Sequence, residues 1–241
     1  LSSAPRIRIK NINNFLNFEI ADAGISPTYW QANTFPASFR PKITVIHDGI
    51  DTNLVAPSRE STITLGNSLK LSSSDEIITF VNRNLEPYRG YHIFMRALPR
   101  LLVERPNAHI LIVGGNKVSY GSPHPSGQSW KDLLVSEIKP KIRQSDWSRV
   151  HFLGNIEYRH FVPLLQLSSV HVYLTYPFVL SWSLLESMSA GCAIVASNTP
   201  PLHEAIFHNK TGLLCDFFNP DDLVDKILVY LNNSKIAEKC A

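Results

Sequence analysis

The sequence of 241 residues is poor in cysteine and in charge. Its three cysteines, Cys192, Cys215 and Cys240, are an odd number without a C-x-x-C pair. That excludes a disulfide scaffold and fits a reducing compartment. Charged residues make up 18% against 44% apolar ones, which excludes intrinsic disorder and leaves a globular chain with a sizeable core. Lys plus Arg number 23 and Asp plus Glu 20, a net charge of +3, so no basic surplus points to nucleic acid. No apolar run reaches the roughly 18–20 residues of a membrane span. The chain opens Leu-Ser-Ser-Ala-Pro, with neither an initiator Met nor an apolar leader, and reads as an internal fragment.

Several signatures are missing as well. Val81 is followed by Asn82-Arg83-Asn84 and not by G-x-G-x-x-G, which argues against a dinucleotide dehydrogenase. There is no G-x-x-x-x-G-K-[ST] for a P-loop and no G-x-S-x-G elbow for a hydrolase. None of the nine histidines has zinc-like spacing. D-x-D is absent, which removes the usual carboxylate pair for a metal-chelated diphosphate.

What is there changes character near Pro57. The first part holds short apolar patches broken by Pro27, Pro36 and Pro41, then a β-branched strand, Ile43 to Ile46, that runs into an Asp-Gly turn. Residues 58–74 read as connecting structure, with Leu65-Gly66-Asn67-Ser68 as a hairpin turn. From residue 77 strands and helices alternate. Strands are expected at 77–81, 109–113, 150–153, 170–174, 192–196 and 213–215. Helices are expected at 90–104, 130–144, 159–168, 181–190 and 221–231. Continuously apolar strands separated by helices predict an α/β fold, a Rossmann-like doubly wound parallel sheet with helices on both faces. The domains divide as 1–45, 46–74 and 75–241.

Ligands of such sheets bind outside the carboxyl ends of the strands. After the first of these strands stand Arg83 and Arg89-Gly90, the latter at the mouth of a helix. Guanidinium groups fork onto phosphate oxygens and a helix start adds partial positive charge, so the pair can clamp a diphosphate. Two solvated surface charges are the alternative. After the fourth strand, Pro177 breaks the chain and a helix is expected near Ser181 to Ser183, its free amides able to bind an anion. Glu186 is placed in its first turn, where it either accepts two vicinal hydroxyls or closes a capping box, Ser183-x-x-Glu186.

The run FVLSWSLLESMSAG, residues 178–191, resembles the E-x7-E region of the retaining glycosyltransferases of family four, the group-one family. FVNRNLEPYRG resembles that family's phosphate segment, HFLGNI its nucleotide-base segment, NKTGLLCD its late Gly-Leu-Leu turn and VIHDGIDT its interdomain hinge. The resemblance covers residues 20–232 and implies the carboxyl-terminal, nucleotide-sugar-binding half of a GT-B fold. Residues 1–45 would then be a remnant of the acceptor domain. Carried across, Arg83 and Arg89 match the diphosphate pair, with Arg where Lys is commoner at 89. Glu186 matches the ribose-binding Glu. Val179, Leu180, Ser181, Trp182 and Ser183 match the loop that cradles the donor sugar and its phosphate, and Ile156 a base-contacting position. Glu204 matches a Glu at the start of a later helix, and its role is read as structural.

The resemblance further implies transfer of a sugar from a nucleotide diphosphate sugar to an acceptor hydroxyl with retention, with no metal and no cofactor beyond that co-substrate. The expected partners are the donor, an acceptor the sequence does not name, and the missing amino-terminal domain, through which the full-length protein could touch a membrane peripherally; the expected location is cytoplasmic. A non-catalytic nucleotide-binding module of the same fold is the alternative. Its support is Phe178, which stands where the family has its first Glu and which cannot accept a hydrogen bond from a sugar hydroxyl. A hydroxyl left unpaired against a ring costs about 1–3 kcal/mol. A less hydroxylated donor sugar is therefore expected to outcompete glucose among nucleotide sugars of one base. A glucose preference that Phe178→Glu leaves unchanged would reduce Phe178 to packing.

Overall fold

The computed structural model describes residues 3–66 and 68–241. By their contacts the residues fall into two compact units, Leu1–Gly49 with Phe178–Leu180, and Ile50–Pro177 with Ser181–Ala241.

The first unit contains α1 (Ser3–Ile20), β1 (Gly24–Ser26), α2 (Tyr29–Asn33) and β2 (Ile43–Val45), with β1 and β2 paired in parallel. The sequence shows only short apolar patches where α1 lies. Its apolar residues occupy two opposite faces, so no single stripe of helical period stands out. Phe18 is half-buried, 4.7 Å from the Phe35 ring and 5.3 Å from that of Phe39, and the exposed Phe15 ring lies 5.7 Å from Phe39. Ile9, Ile12, Leu16 and Ile20 share another face and are exposed. Lys42 closes the helix by donating from Nζ to the carbonyls of Phe18 and Ala21, a cation at the negative end of the helix dipole.

The second unit begins with the antiparallel hairpin β3 (Thr62–Leu65) and β4 (Leu69–Ser72). Of its expected turn, Asn67 lies outside the described residues. There follow β5 (Ile77–Asn84), α3 (Tyr91–Glu104), β6 (His109–Gly115), α4 (Trp130–Ile138), α5 (Gln144–Trp147), β7 (Val150–Gly154) and α6 (Tyr158–Gln166). The chain continues through β8 (Val170–Tyr173), α7 (Trp182–Ser189), β9 (Ile194–Ser197), β10 (Leu213–Cys215), α8 (Pro220–Asn232) and α9 (Ser234–Cys240). β5 to β10 form one parallel sheet in the order β10-β9-β8-β5-β6-β7. The order runs outward from β5 to β7, then restarts beside β5 with β8. With right-handed crossovers, this reversal puts α3 and α4 on one face and α6 and α7 on the other. α3 packs on α4 and α8, and α6 on α7 and β3. The expected doubly wound α/β sheet is present.

Burial explains the strands. Ile77, Ile78, Thr79 and Phe80 are fully buried on alternating sides, as a sheet covered on both faces requires. α3 contributes Phe94, Leu98, Leu101 and Leu102 to the core, and Phe94 stacks on Phe80 at 4.5 Å.

Four expectations change. The helix expected over 130–144 stops at Ile138, because Pro140 has no amide to continue it; a 3-10 turn (Lys139–Lys141) and the short α5 follow. β5 runs on to Asn84, so Arg83 sits in the strand and not after it. α7 starts at Trp182 with Ser181 as its cap, so Glu186 is its fifth residue and lies beyond the first turn. Glu204 ends a 3-10 segment, Pro200–Glu204, and does not open a helix.

Gly90 joins β5's loop to α3 at φ +72°, where an added Cβ would meet the Leu174 Cβ at 2.2 Å. Gly154 has φ +66° but nothing within 4 Å. Gly154→Ala should therefore cost about 1–2 kcal/mol of backbone strain, and Gly90→Ala about 1–3 kcal/mol more for the clash. Denaturant midpoints of the two variants measure the difference.

Candidate functional site

The carboxyl ends of β5 and β8 lie side by side where the strand order reverses, the point at which doubly wound sheets bind ligands, with those of β6 and β7 beyond β5. Two bulges shape this edge. Between its pairings with Val113 and Gly115, β5 carries one more residue than β6. Between the partners of Ile112 and Val113, β7 likewise gains one. Such extra residues bend a strand and re-aim its side chains, and the first of them contains Arg83.

The loop after β6 is fastened to the end of β5 by two side chains. Glu86, with no exposed surface, accepts hydrogen bonds from the amides of Ser119 (3.1 Å), Tyr120 (3.2 Å) and Gly121 (2.9 Å). Asn84 accepts from the Lys117 amide at 3.1 Å and donates to Ser119 Oγ at 2.6 Å. Both residues need small neighbours. A Cβ on Gly115 would come within 2.6 Å of Asn84 Oδ1, and one on Gly121 within 3.1 Å of Glu86 Oε2.

Arg89 ends the 3-10 turn that follows Glu86 and is buried. Its Nη1 donates to Tyr173 Oη at 3.1 Å and Thr175 Oγ1 at 3.0 Å, and its Cζ lies 4.9 Å over the Tyr120 ring. Burial raises the Tyr173 hydroxyl above its ordinary value, so it stays neutral beside the guanidinium. Arg83, by contrast, is exposed. It lines an open cleft of about 640 Å³ together with Asn84, Gly115, Lys117, Lys131 and Asn155.

On the other face, Glu186 is buried and accepts a hydrogen bond from the Tyr158 hydroxyl at 2.8 Å. Partial burial first, and that bond second, push the Tyr158 hydroxyl up to about 12, so it remains a donor at physiological pH. The capping box does not form: Ser181, and not Ser183, is the cap. Ser181 Oγ also takes up the Ser183 amide at 3.2 Å, so the helix start offers fewer free amides than expected. Trp182 is exposed. Ile156 lines a separate cleft of about 710 Å³ beside Ile63 and Thr64, sharing only Asn155 with the cleft of Arg83. Phe178, Val179 and Leu180 group with the first unit, Phe178 half-buried and Leu180 buried. Among the described residues, no group of three His, Cys, Asp or Glu side chains is placed to hold a metal ion.

The structure thus brings together side chains that the sequence did not single out: Asn84, Glu86, Lys117, Tyr120, Tyr158, Tyr173 and Thr175. Only Glu86 had a local signal, a carboxylate between a strand end and the Gly90 turn. The others are joined by contacts between residues far apart in sequence.

A six-stranded parallel sheet whose strand order reverses beside β5 defines the doubly wound, Rossmann-like class of α/β fold. The family described as glycosyl transferases group 1 matches residues 64–241, and that described as glycosyl transferase family 4 group matches residues 1–55. The chain belongs to the group 1 glycosyltransferases. It is similar to the spore coat protein SA of Bacillus subtilis, with 26% identity over 222 residues, 85% of this chain and 53% of that protein. It spans about half the length of the curated relatives it matches. Among solved structures it is similar to Anabaena HepE in complex with UDP and glucose, at a TM-score of 0.71 and 18% identity, covering 95% of this chain and 60% of that one. It is also similar to the C-terminal domain of a group 1 glycosyl transferase, LpcC, from Francisella tularensis, at a TM-score of 0.63 and 16% identity, covering 80% of this chain and 92% of that one. The fold is the carboxyl-terminal half of a GT-B architecture. No helix among the described residues is long and apolar enough to cross a membrane.

The Glu86 contacts generate a test. Glu86→Gln removes the charge and turns an amide group toward backbone donors, which should cost about 1–3 kcal/mol. Hydrogen exchange at Ser119, Tyr120 and Gly121 should accelerate beyond the change seen in core strands. Unchanged protection there would show that the carboxylate does not hold the loop.

Proposed function

We propose that this chain binds a nucleotide diphosphate sugar and that the protein it represents transfers the sugar to an acceptor hydroxyl with retention of configuration. The observation that carries the reading is the switch point itself, with the exposed Arg83 and the buried Arg89 over adjacent strand ends and Glu186 held by Tyr158. HepE, a fold neighbour, was solved with UDP and glucose, which supports a donor of this class.

In this reading the two guanidinium groups hold the diphosphate, and their fixed charge is matched to the negative charge that grows on it as the glycosidic bond breaks. The acceptor oxygen forms the new bond on the face the diphosphate leaves, and a departing phosphate oxygen takes its proton. No protein nucleophile and no metal enter this scheme. Glu186 accepts the ribose hydroxyls, and Tyr158, released from its bond to the carboxylate, turns to the ligand. An acceptor-binding domain completes the active protein, so the chain alone binds donor and transfers poorly. Phe178 keeps open the second reading, a nucleotide-binding module without transfer.

Binding is tested by thermal shift with nucleoside diphosphates and their sugars. A ligand at a hundredfold its Kd should add about 2.7 kcal/mol to stability. Arg83→Ala should weaken nucleoside diphosphate binding by about 1.5–3 kcal/mol while leaving the free nucleoside nearly unaffected, because Arg83 is exposed and holds no part of the fold. Arg89 is better tested as Arg89→Lys, since truncation would strand the Tyr173 and Thr175 hydroxyls. Absence of a shift with every nucleotide would end this reading.

A further inference from the structure

The cleft that contains Arg83 holds more positive charge than the Arg83–Arg89 pair accounts for. Lys117, in the loop after β6, and Lys131, at the start of α4, line it as well. No carboxylate is among the described residues that line it. Among the described residues, none of these three cations forms an ion pair. Elsewhere in this unit the arginines of α3 are matched by acids: Arg96 by Glu137, and Arg100 by Glu104 and Asp225. Like charges around one cleft repel one another, so their gathering here is unfavourable unless an anion joins them.

The positions are also prepared. The Lys117 amide is bonded to Asn84 Oδ1 at 3.1 Å, and Asn84 itself pairs with Gly115 across the β5–β6 ladder. That fastens Lys117 to the residue next to Arg83 in the same strand. Lys131 Nζ lies 4.9 Å over the Phe152 ring, a contact that orients the ammonium group without neutralising it. The floor includes Gly114, Gly115 and Gly154, so backbone can approach a ligand closely.

We infer that Lys117 and Lys131 are phosphate-binding residues, which with Arg83 form an anion cleft over the ends of β5 and β6 that takes the phosphates of the bound ligand. The inference deepens the nucleotide-diphosphate reading and rests on it for the identity of the ligand, but the cleft itself can be tested without a base. Lys117 and Lys131 act as positioning charges, whereas Arg89 lies buried beneath Tyr120 beside the end of β8.

The probes are inorganic pyrophosphate and uridine, adenosine and guanosine diphosphates, titrated calorimetrically into the chain at two salt concentrations. Lys117→Gln and Lys131→Gln should each weaken pyrophosphate binding about three- to tenfold, the scale of one charge-assisted contact. The double variant should also flatten the dependence of Kd on salt, because fewer ionic contacts remain. Lys117→Arg and Lys131→Arg should keep binding near wild type, which a general loss of folding would not allow. Pyrophosphate and nucleoside diphosphates that bind equally well to wild type and both Gln variants would overturn this inference while leaving the nucleotide reading in place. Pyrophosphate binding that depends on the lysines, with no nucleoside diphosphate bound more tightly, would uphold the cleft and overturn the nucleotide reading. No binding of any probe to wild type would overturn both.

Discussion

A buried carboxylate organises the edge of the sheet. Glu86 lies wholly out of water and is held by three consecutive backbone amides of a loop more than thirty positions further along the chain. A buried charge is tolerable only when it is fully hydrogen-bonded. The loop after β6 therefore has little choice but to fold back over β5, and that return carries Tyr120 over the Arg89 guanidinium and Lys117 to the cleft. Glu86 also accepts the Arg89 and Tyr91 amides at its own carbonyl, so one residue sets both the 3-10 turn and the loop that covers it.

The cations at this edge fall into two kinds. Arg89 is buried, donates to two hydroxyls and lies over a ring, contacts that fix its direction. Arg83, Lys117 and Lys131 line open space. Glu186 is held as Arg89 is: the neutral Tyr158 hydroxyl orients its carboxylate without cancelling its charge.

The sheet was readable because covering a parallel strand on both faces demands a mostly apolar run, unbroken in β6 and interrupted in β5 and β8 by a single buried polar residue each, Thr79 and His171, which bond to one another at 2.8 Å. The helix α3 was readable from its period and from Pro106 beyond it. Where reading failed, two local rules were in competition. Pro140 interrupts an otherwise helical pattern, and periodicity alone runs through it. Ser181 and Ser183 can both cap, and the choice fell to Ser181, so Glu186 moved out of the first turn and into contact with an α6 residue. In the first unit, apolar residues on two sides of α1 hid the helix altogether.

By itself, then, the sequence determined the alternation of strands and helices and the parallel sheet, because these follow from hydrophobic period and chain order, whereas the structure moved Arg83 into β5 and Glu186 out of the first turn of its helix. Which of the two arginines is buried, which hydroxyl meets Glu186, and which lysines face Arg83 were decided only by the tertiary structure. Those outcomes depend on pairings between residues 28 to 86 positions apart, such as Tyr158 with Glu186 and Arg89 with Thr175. No local period encodes such pairings; they arise when the strand order reverses and brings distant strand ends to one edge.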